Sequence, residues 1–390
     1  MKRVVQKFGG TSVATLERIK NVAEIIAESR VKQDVVAVVS AMAGVTNKFV
    51  DYVHSFDRCE GDPEYDFVVS SGETVTAGLL SLALKNLGLK SRSYAGWQLP
   101  IITSNHYGSA AIQSVDPTNL DRDLHNGIIP VVCGFQGINS DNRITTLGRG
   151  GSDLTAVAVA NAVQAEMCDI YSDVDGVYTI DPNLYDKARR LKTISYNEML
   201  EMAASGAKVL QEQSVAYALE KNVKVRVVSS FVKNNGTVIC NDEMKRQFSG
   251  LAVIHNVVQI KIYHQIEEKD ILSKLSAHFI RYDIIKSQDN KLSISIDRKK
   301  LALAREILNS IDGVDSIKQE MTRRHCSRIS AIGLNLGYDE VNFVTSLVTN
   351  SGIEIFYCSK SRYGINLILS TEHLLKAIDI LHRNCGLENE

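Results

Sequence analysis

Up to about residue 240, short β-branched runs alternate with segments whose apolar residues recur every three or four positions. The runs Arg3-Val4-Val5-Gln6, Asp34 to Val39, Ile128 to Phe135, Cys168 to Ser172, Val223 to Val228 and Thr237 to Cys240 read as strands. Leu16, Ile19, Ala23 and Ile26 predict the buried face of a helix after the first strand. A long helix opens at Ser71-Gly72-Glu73 and continues through Leu79, Leu80, Leu82, Ala83 and Leu84. Another starts at Ser152-Asp153 and runs through Ala156, Val159 and Ala160. Apolar strands alternating with helices predict a mostly parallel sheet covered by helices on both faces. The chemistry of such folds gathers at the carboxyl ends of the strands.

Past a polar connector, Asn241 to Gln247, the pattern changes and a repeat appears. Leu292 to Leu308 and Ile365 to Leu381 superpose without a gap: Leu292 falls on Ile365, Ile294 on Leu367, Ile296 on Leu369, Leu301 on Leu374, Ala304 on Ala377 and Leu308 on Leu381. Each copy is an alternating strand, a turn and an amphipathic helix. A further strand and helix precede each, at 258–263 with 271–275 and at 329–334 with 341–348. Two βαββα modules are therefore expected after the first domain.

With 390 residues, 44% apolar and 23% charged, the chain has room for two or three domains with substantial cores. A net charge of -1 argues against a nucleic-acid groove or a membrane-surface patch. No uninterrupted apolar run reaches spanning length, and a strand beginning by Arg3 leaves no room for a secretory presequence. The seven scattered cysteines, Cys59, Cys133, Cys168, Cys240, Cys326, Cys358 and Cys385, form no CxxC pair. They read as thiols in a reducing cytoplasm, without a protein metal site.

Two glycine-rich segments carry the strongest chemical signal. Lys7 to Ser12 (KFGGTS) runs from a strand into a helical pattern, so its backbone N–H groups and Lys7 suit a phosphate. A strained βα turn relieved by glycines fits the same residues. Thr145 to Asp153 (TTLGRGGSD) surrounds Arg149 with Gly148, Gly150 and Gly151 ahead of a second helix, suiting a carboxylate or phosphate; a glycine hinge with a capping Asp is the alternative. Ser172-Asp173-Val174-Asp175-Gly176-Val177-Tyr178 offers acidic groups and a ring at a strand end, or simply an Asp-Gly turn. Lys208 and Glu73 are ambiguous alone. No Ser-His-Asp order is legible, and both the GxxxxGK[ST] loop and the GxGxxG fingerprint are absent. Two anion-binding turns with a lysine, an arginine and acidic groups on one sheet fit phosphoryl transfer.

Seven motifs stand in the order of the aspartokinases: KFGGTS at 7–12, VVSAMAGVTN at 38–47, SSGE at 70–73, GFQG at 134–137, TTLGRGGSD at 145–153, DVDGVYTIDP at 173–182 and GAKVL at 206–210. The chain resembles a bacterial aspartokinase over nearly its whole length. The resemblance implies an amino acid kinase domain at 1–240 and two ferredoxin-like ACT domains at 248–320 and 321–390. It implies transfer of the γ-phosphoryl of Mg-ATP to the side-chain carboxylate of L-aspartate, the first step toward lysine, diaminopimelate, threonine and methionine. It assigns Lys7 and Asp153 to catalysis, and Gly9, Gly10, Thr11, Ser12, Gly150 and Gly151 to the phosphates. Thr46, Glu73, Arg149 and Ser152 fall to aspartate, with Glu73 facing the ammonium and Arg149 a carboxylate. Ser172, Asp173, Tyr178, Lys208 and Val209 fall to the nucleotide, whose phosphates hold the Mg²⁺. A carboxylate of pKa ~4 is already ionised at neutral pH, so no general base is required. A homodimer or higher oligomer built through the ACT domains, in the cytoplasm, is implied as well.

The chain departs from the family pattern in two places. Asn183 follows Asp181-Pro182 where many relatives carry an arginine. The Pro-Gly turn of the effector pocket is replaced by His264-Gln265-Ile266-Glu267-Glu268-Lys269-Asp270 in one module and Leu336-Gly337-Tyr338-Asp339-Glu340 in the other. The usual Gln-Asn-x-Ser gives way to Ile285-Lys286-Ser287-Gln288. Feedback by lysine or threonine is therefore expected to be weak or lost. A kinase for glutamate or acetylglutamate would lack the repeat, and a silent regulatory subunit would lack Lys7 or Asp153.

Overall fold

The computed structural model describes residues 2–56, 61–241, 246–278, 280–319 and 325–388. Cys59 and most of the polar connector, 242–245, lie outside them. The chain divides into two compact units: Met1–Val177 with Leu191–Tyr196 and Val209–Asp242, and Tyr178–Arg190 with Asn197–Lys208 and Glu243–Glu390.

In the first unit eight strands form one sheet, in the order Thr193–Ser195, Thr237–Cys240, Val225–Ser229, Met167–Ser172, Arg3–Phe8, Asp34–Val39, Ile129–Cys133, Ser91–Tyr94. Every pairing is parallel except that of Val225–Ser229 with Thr237–Cys240. The central strands are buried along almost their whole length, which explains their near-continuous Val and Ile content. Helix Leu16–Arg30 buries Ile19, Val22, Ala23 and Ile26. Leu16, expected on that face, is 60% exposed, because it begins the helix one turn before the sheet contact. Leu82 is likewise exposed, while Ala77, Leu80 and Leu84 enter the core. The helical stretch Pro63–Asn86 is long and apolar enough to cross a membrane by length and composition, although Glu64, Asp66 and Glu73 interrupt its apolar run; half of its most apolar window is buried inside the fold.

A second sheet in this unit was not foreseen. Its strands, Ile112–Val115, Ile101–Thr103, Gln136–Ile138 and Ile144–Thr146, have three or four residues each, too short for periodicity to register.

The second unit contains two four-stranded sheets. The repeat positions are equivalent in three dimensions: Leu292, Ile294 and Ile296 line one core, and Ile365, Leu367 and Leu369 the other. The module boundary differs from the expected one. Strand Phe248–Ile254 pairs antiparallel with Cys326–Gly333, while Val257–His264 pairs with Lys291–Asp297 and Val314–Gln319. One module is thus inserted between the first strand of the other and its remainder. Asp283 and Arg328, both almost fully buried, join the two sheets at 3.0 Å, and Ser359 and Asn366 also donate to Asp283. The described cysteines form no disulfide among themselves; Cys133, Cys168, Cys240 and Cys326 are buried.

Candidate active site

Arg3–Phe8 lies between Asp34–Val39 and Met167–Ser172, where the strand order reverses: the chain first fills the Asp34–Val39 side and later returns to the Met167–Ser172 side. Such a switch point opens a crevice beyond the carboxyl ends of the strands. A cavity of about 550 Å³ occupies it. Its wall brings together nine of the residues singled out in the sequence: Lys7, Gly10, Thr46, Glu73, Arg149, Gly150, Gly151, Ser152 and Asp153.

Lys7 Nζ lies 2.5 Å from Asp153 Oδ1, and the two side chains are only 10% and 12% exposed. Asp153 is the third residue of helix Gly151–Ala162, whose residues are buried from Gly151 to Ala160. The lysine and the helix N-terminus therefore concentrate positive potential at one end of the cavity. Gly150 allows this approach. It is left-handed (φ 73°), and a Cβ there would lie 2.0 Å from the Gln211 side chain.

Glu73 is 2% exposed, on the helix Ser71–Asn86. Its Oε1 accepts from the Ala41 N–H at 2.9 Å, while the buried Oε2 has no partner among the described residues. Burial pushes this carboxyl up to about 7, against the hydrogen bond from Ala41. Gly72 lets the helix start approach the loop after Asp34–Val39, since a Cβ there would lie 2.7 Å from that of Ala41. Arg149 is exposed on the cavity wall and, among the described residues, pairs with no other side chain. Thr46 occupies the first turn of helix Val45–Val53. A buried carboxylate, a free guanidinium and a lysine–carboxylate pair can orient a zwitterion and neutralise a phosphoryl group.

Three expected phosphate ligands are engaged within the fold; the Gly151 N–H donates to Gly148 O at 3.0 Å. The Gly9 N–H donates to Tyr171 O at 3.2 Å, and the Ser12 N–H to Gly9 O at 2.9 Å. The buried Ser12 hydroxyl accepts from Ser230 Oγ at 2.7 Å. Gly9 and Ser12 close the turn because a strand ending beside Met167–Ser172 must satisfy its last backbone groups. Among the described residues the Gly10 and Thr11 amides make no such bond. Gly9, Thr11 and Ser12 do not line the cavity, nor do Ser172, Asp173 and Val209. Ser172 Oγ donates to Asp173 Oδ1 at 2.9 Å. Tyr178 and Lys208 belong to the second unit. Asn183 donates both its N–H and its side-chain amide to Asp181 Oδ1, closing a local turn.

Sequence reading missed Tyr65 and Gly108 on the cavity wall and Asp66 behind it, and gave Thr146, inside the TTLGRGGSD segment, no role of its own. Only Asp66 left a signal: a carboxylate seven positions before Glu73, on the same face of a contiguous apolar helical stretch.

The amino acid kinase family model matches residues 2–229. An aspartokinase of Geobacillus stearothermophilus is 36% identical over 403 residues, covering 99% of this chain and 98% of its own. One of Rickettsia felis is 43% identical over 275 residues, covering 70% and 68%. The solved structure of E. coli aspartokinase III in complex with aspartate and ADP superposes with a TM-score of 0.79 at 23% identity, covering 98% of this chain and 99% of that one, a likeness of fold. With the family model over more than half its length and a relative matched end to end, the chain belongs to the aspartokinases of the amino acid kinase family.

Proposed function

We propose that this chain transfers the γ-phosphoryl group of ATP to the side-chain carboxylate of L-aspartate, giving 4-phospho-L-aspartate and ADP. This is the entry to lysine, diaminopimelate, threonine and methionine synthesis. The observation that carries the reading is one cavity holding both the Lys7–Asp153 pair at a helix N-terminus and the unpartnered carboxylate oxygen of Glu73. Glu73 receives the α-ammonium and Arg149 the α-carboxylate, with the Thr46 and Ser152 hydroxyls alongside. A side-chain carboxylate oxygen then attacks the γ-phosphorus as the bond to the β,γ-bridging oxygen breaks and ADP leaves. Lys7, held by Asp153, neutralises charge on the transferring group, and the amides of Gly10, Thr11 and Gly150, with the Gly151 turn beside them, cradle the phosphates. Ser172, Asp173 and Val209 contact the nucleotide.

Among the described residues no group of three His, Cys, Asp or Glu side chains could hold a metal ion. A Mg²⁺ would be carried on the nucleotide phosphates, where it would offset phosphate charge. A coupled ADP-release assay with aspartate, glutamate and acetylglutamate tests the acceptor. Turnover with aspartate is expected to exceed the others; equal or greater turnover with either alternative removes the reading.

The chain acts in the cytoplasm, as a homodimer or higher oligomer joined through its ACT modules, and its feedback by lysine or threonine is weak. The loops where an effector carboxylate would dock support this. The Gln265 N–H donates to Gly313 O, and Glu268 and Asp270 fill the first turn of the following helix. In the other module the Gly337 N–H donates to Glu340 Oε2 at 2.6 Å. Amides already partnered, beside acidic side chains, repel a carboxylate. Titrating lysine and threonine is expected to leave activity nearly unchanged at millimolar effector. Strong sub-millimolar inhibition with direct binding would reverse the conclusion.

A further inference from the structure

Asp66 has 0% exposure, carries a formal charge and has no part in the mechanism above. Its carboxylate accepts four hydrogen bonds, all from two segments of the cavity wall. Gly108 N–H approaches Oδ1 at 2.9 Å and Oδ2 at 3.0 Å; the Thr146 N–H reaches Oδ2 at 2.7 Å and the Thr146 hydroxyl Oδ1 at 2.8 Å. Both lone-pair faces are therefore used, and burial, which raises this carboxyl, is opposed by the same bonds.

The donors lead directly to the substrate-facing groups. Thr146 ends the strand Ile144–Thr146, and Gly148-Arg149-Gly150 follows. Gly148 is left-handed and packs against the carbonyl of Gly108, while its own carbonyl accepts from Gly151 N–H at 3.0 Å. Arg149 is thus suspended between a clamped strand end and a helix start. At its other end Asp66 sits on helix Pro63–Val69, which runs into Ser71–Asn86. Glu73 follows two turns later on the same buried face, and Gln136 Nε2 holds the carbonyl of Ser70 between them at 2.9 Å.

Resting on the function proposed above, we infer that Asp66 is a positioning residue: it fixes Arg149 relative to Glu73 and so sets selectivity for an α-amino acid of one length and one hand. An asparagine there keeps the size but turns an N–H₂ toward donors, so at least one of these bonds is lost.

The test compares Asp66→Asn and Thr146→Val with the parent for L-aspartate, D-aspartate and ATP. Asp66→Asn is expected to raise KM for L-aspartate about tenfold and to narrow the L-over-D ratio, with KM for ATP and kcat at saturation little changed. Thr146→Val removes one of the four bonds and shifts the same two quantities less. If Asp66→Asn does not fold, Thr146→Val carries the test alone. Unchanged KM and L-over-D ratio in folded protein overturns the inference, as does an equal loss of kcat for all substrates accompanied by a lowered Tm. A parent with no aspartate turnover refutes the proposed function instead.

Discussion

Lys7→Ala lowers kcat by about 10³-fold while leaving L-aspartate binding nearly intact. The ammonium stands at a central strand end, 2.5 Å from Asp153 and facing the start of a buried helix. Its charge matters most where the γ-phosphoryl carries developing negative charge, in surroundings that exclude much of the water. The ground-state contacts of aspartate run through Glu73 and Arg149 and survive the change. The substitution has a second consequence. Asp153 is left nearly buried without its cation, so the variant is expected to melt at a lower temperature. Steady-state kinetics, aspartate calorimetry and a melting curve on the same preparation separate these effects. A variant that keeps kcat within tenfold of the parent would exclude a catalytic role for Lys7.

Glu73→Gln has the next largest effect, and its signature lies in pH. In the ligand-free protein burial holds the carboxyl at about 7, with one oxygen unpartnered. An incoming ammonium favours the ionised form, so aspartate affinity falls as the pH drops below about 7. The glutamine variant keeps the bond from Ala41 but offers no charge, raising KM for aspartate about 100-fold with a flat pH dependence through that range. Stability moves the other way. A carboxyl raised in the folded state binds its proton more tightly there than in the unfolded chain. The parent therefore loses stability as pH rises from about 4.5 to about 7, by about 3 kcal/mol in order of magnitude. Glu73→Gln lacks that loss, so its stability relative to the ligand-free parent is expected to rise across the same window. Denaturant titrations at pH 5 and pH 8 measure it. A variant–parent difference that is constant with pH, or a KM within threefold of the parent, would show that Glu73 does not meet the ammonium.

These expectations differ in how they reach back to the sequence. Lys7, Gly10, Arg149 and Asp153 announce themselves because a phosphate site on a parallel sheet needs backbone amides and cations at strand-to-helix turns, and such turns need glycine. Apart from the family motif SSGE, Glu73 was visible only as an acid in the first turn of a helix. What makes it a receptor is the loss of solvent and the unpartnered Oε2, which come from loop 40–44 folding over it. Gly9 and Ser12 show the reverse: their motif reads as a cradle, yet neighbouring strand and serine groups use their polar atoms.

By itself the sequence determined the alternating α/β architecture, the paired βαββα modules and the central chemistry. Each of these depends on local periodicity or on residue types that a turn demands. The tertiary structure alone decided the four-stranded sheet that carries Thr146, the insertion of one module between the first strand and the remainder of the other, and the Asp66 clamp. Strands of three or four residues carry no readable period, and strand partners far apart in sequence leave no local trace. A buried carboxylate gains its meaning from donors 42 and 80 residues away. The reacting groups are local choices of residue; the distances that make them a site are set by long-range pairing.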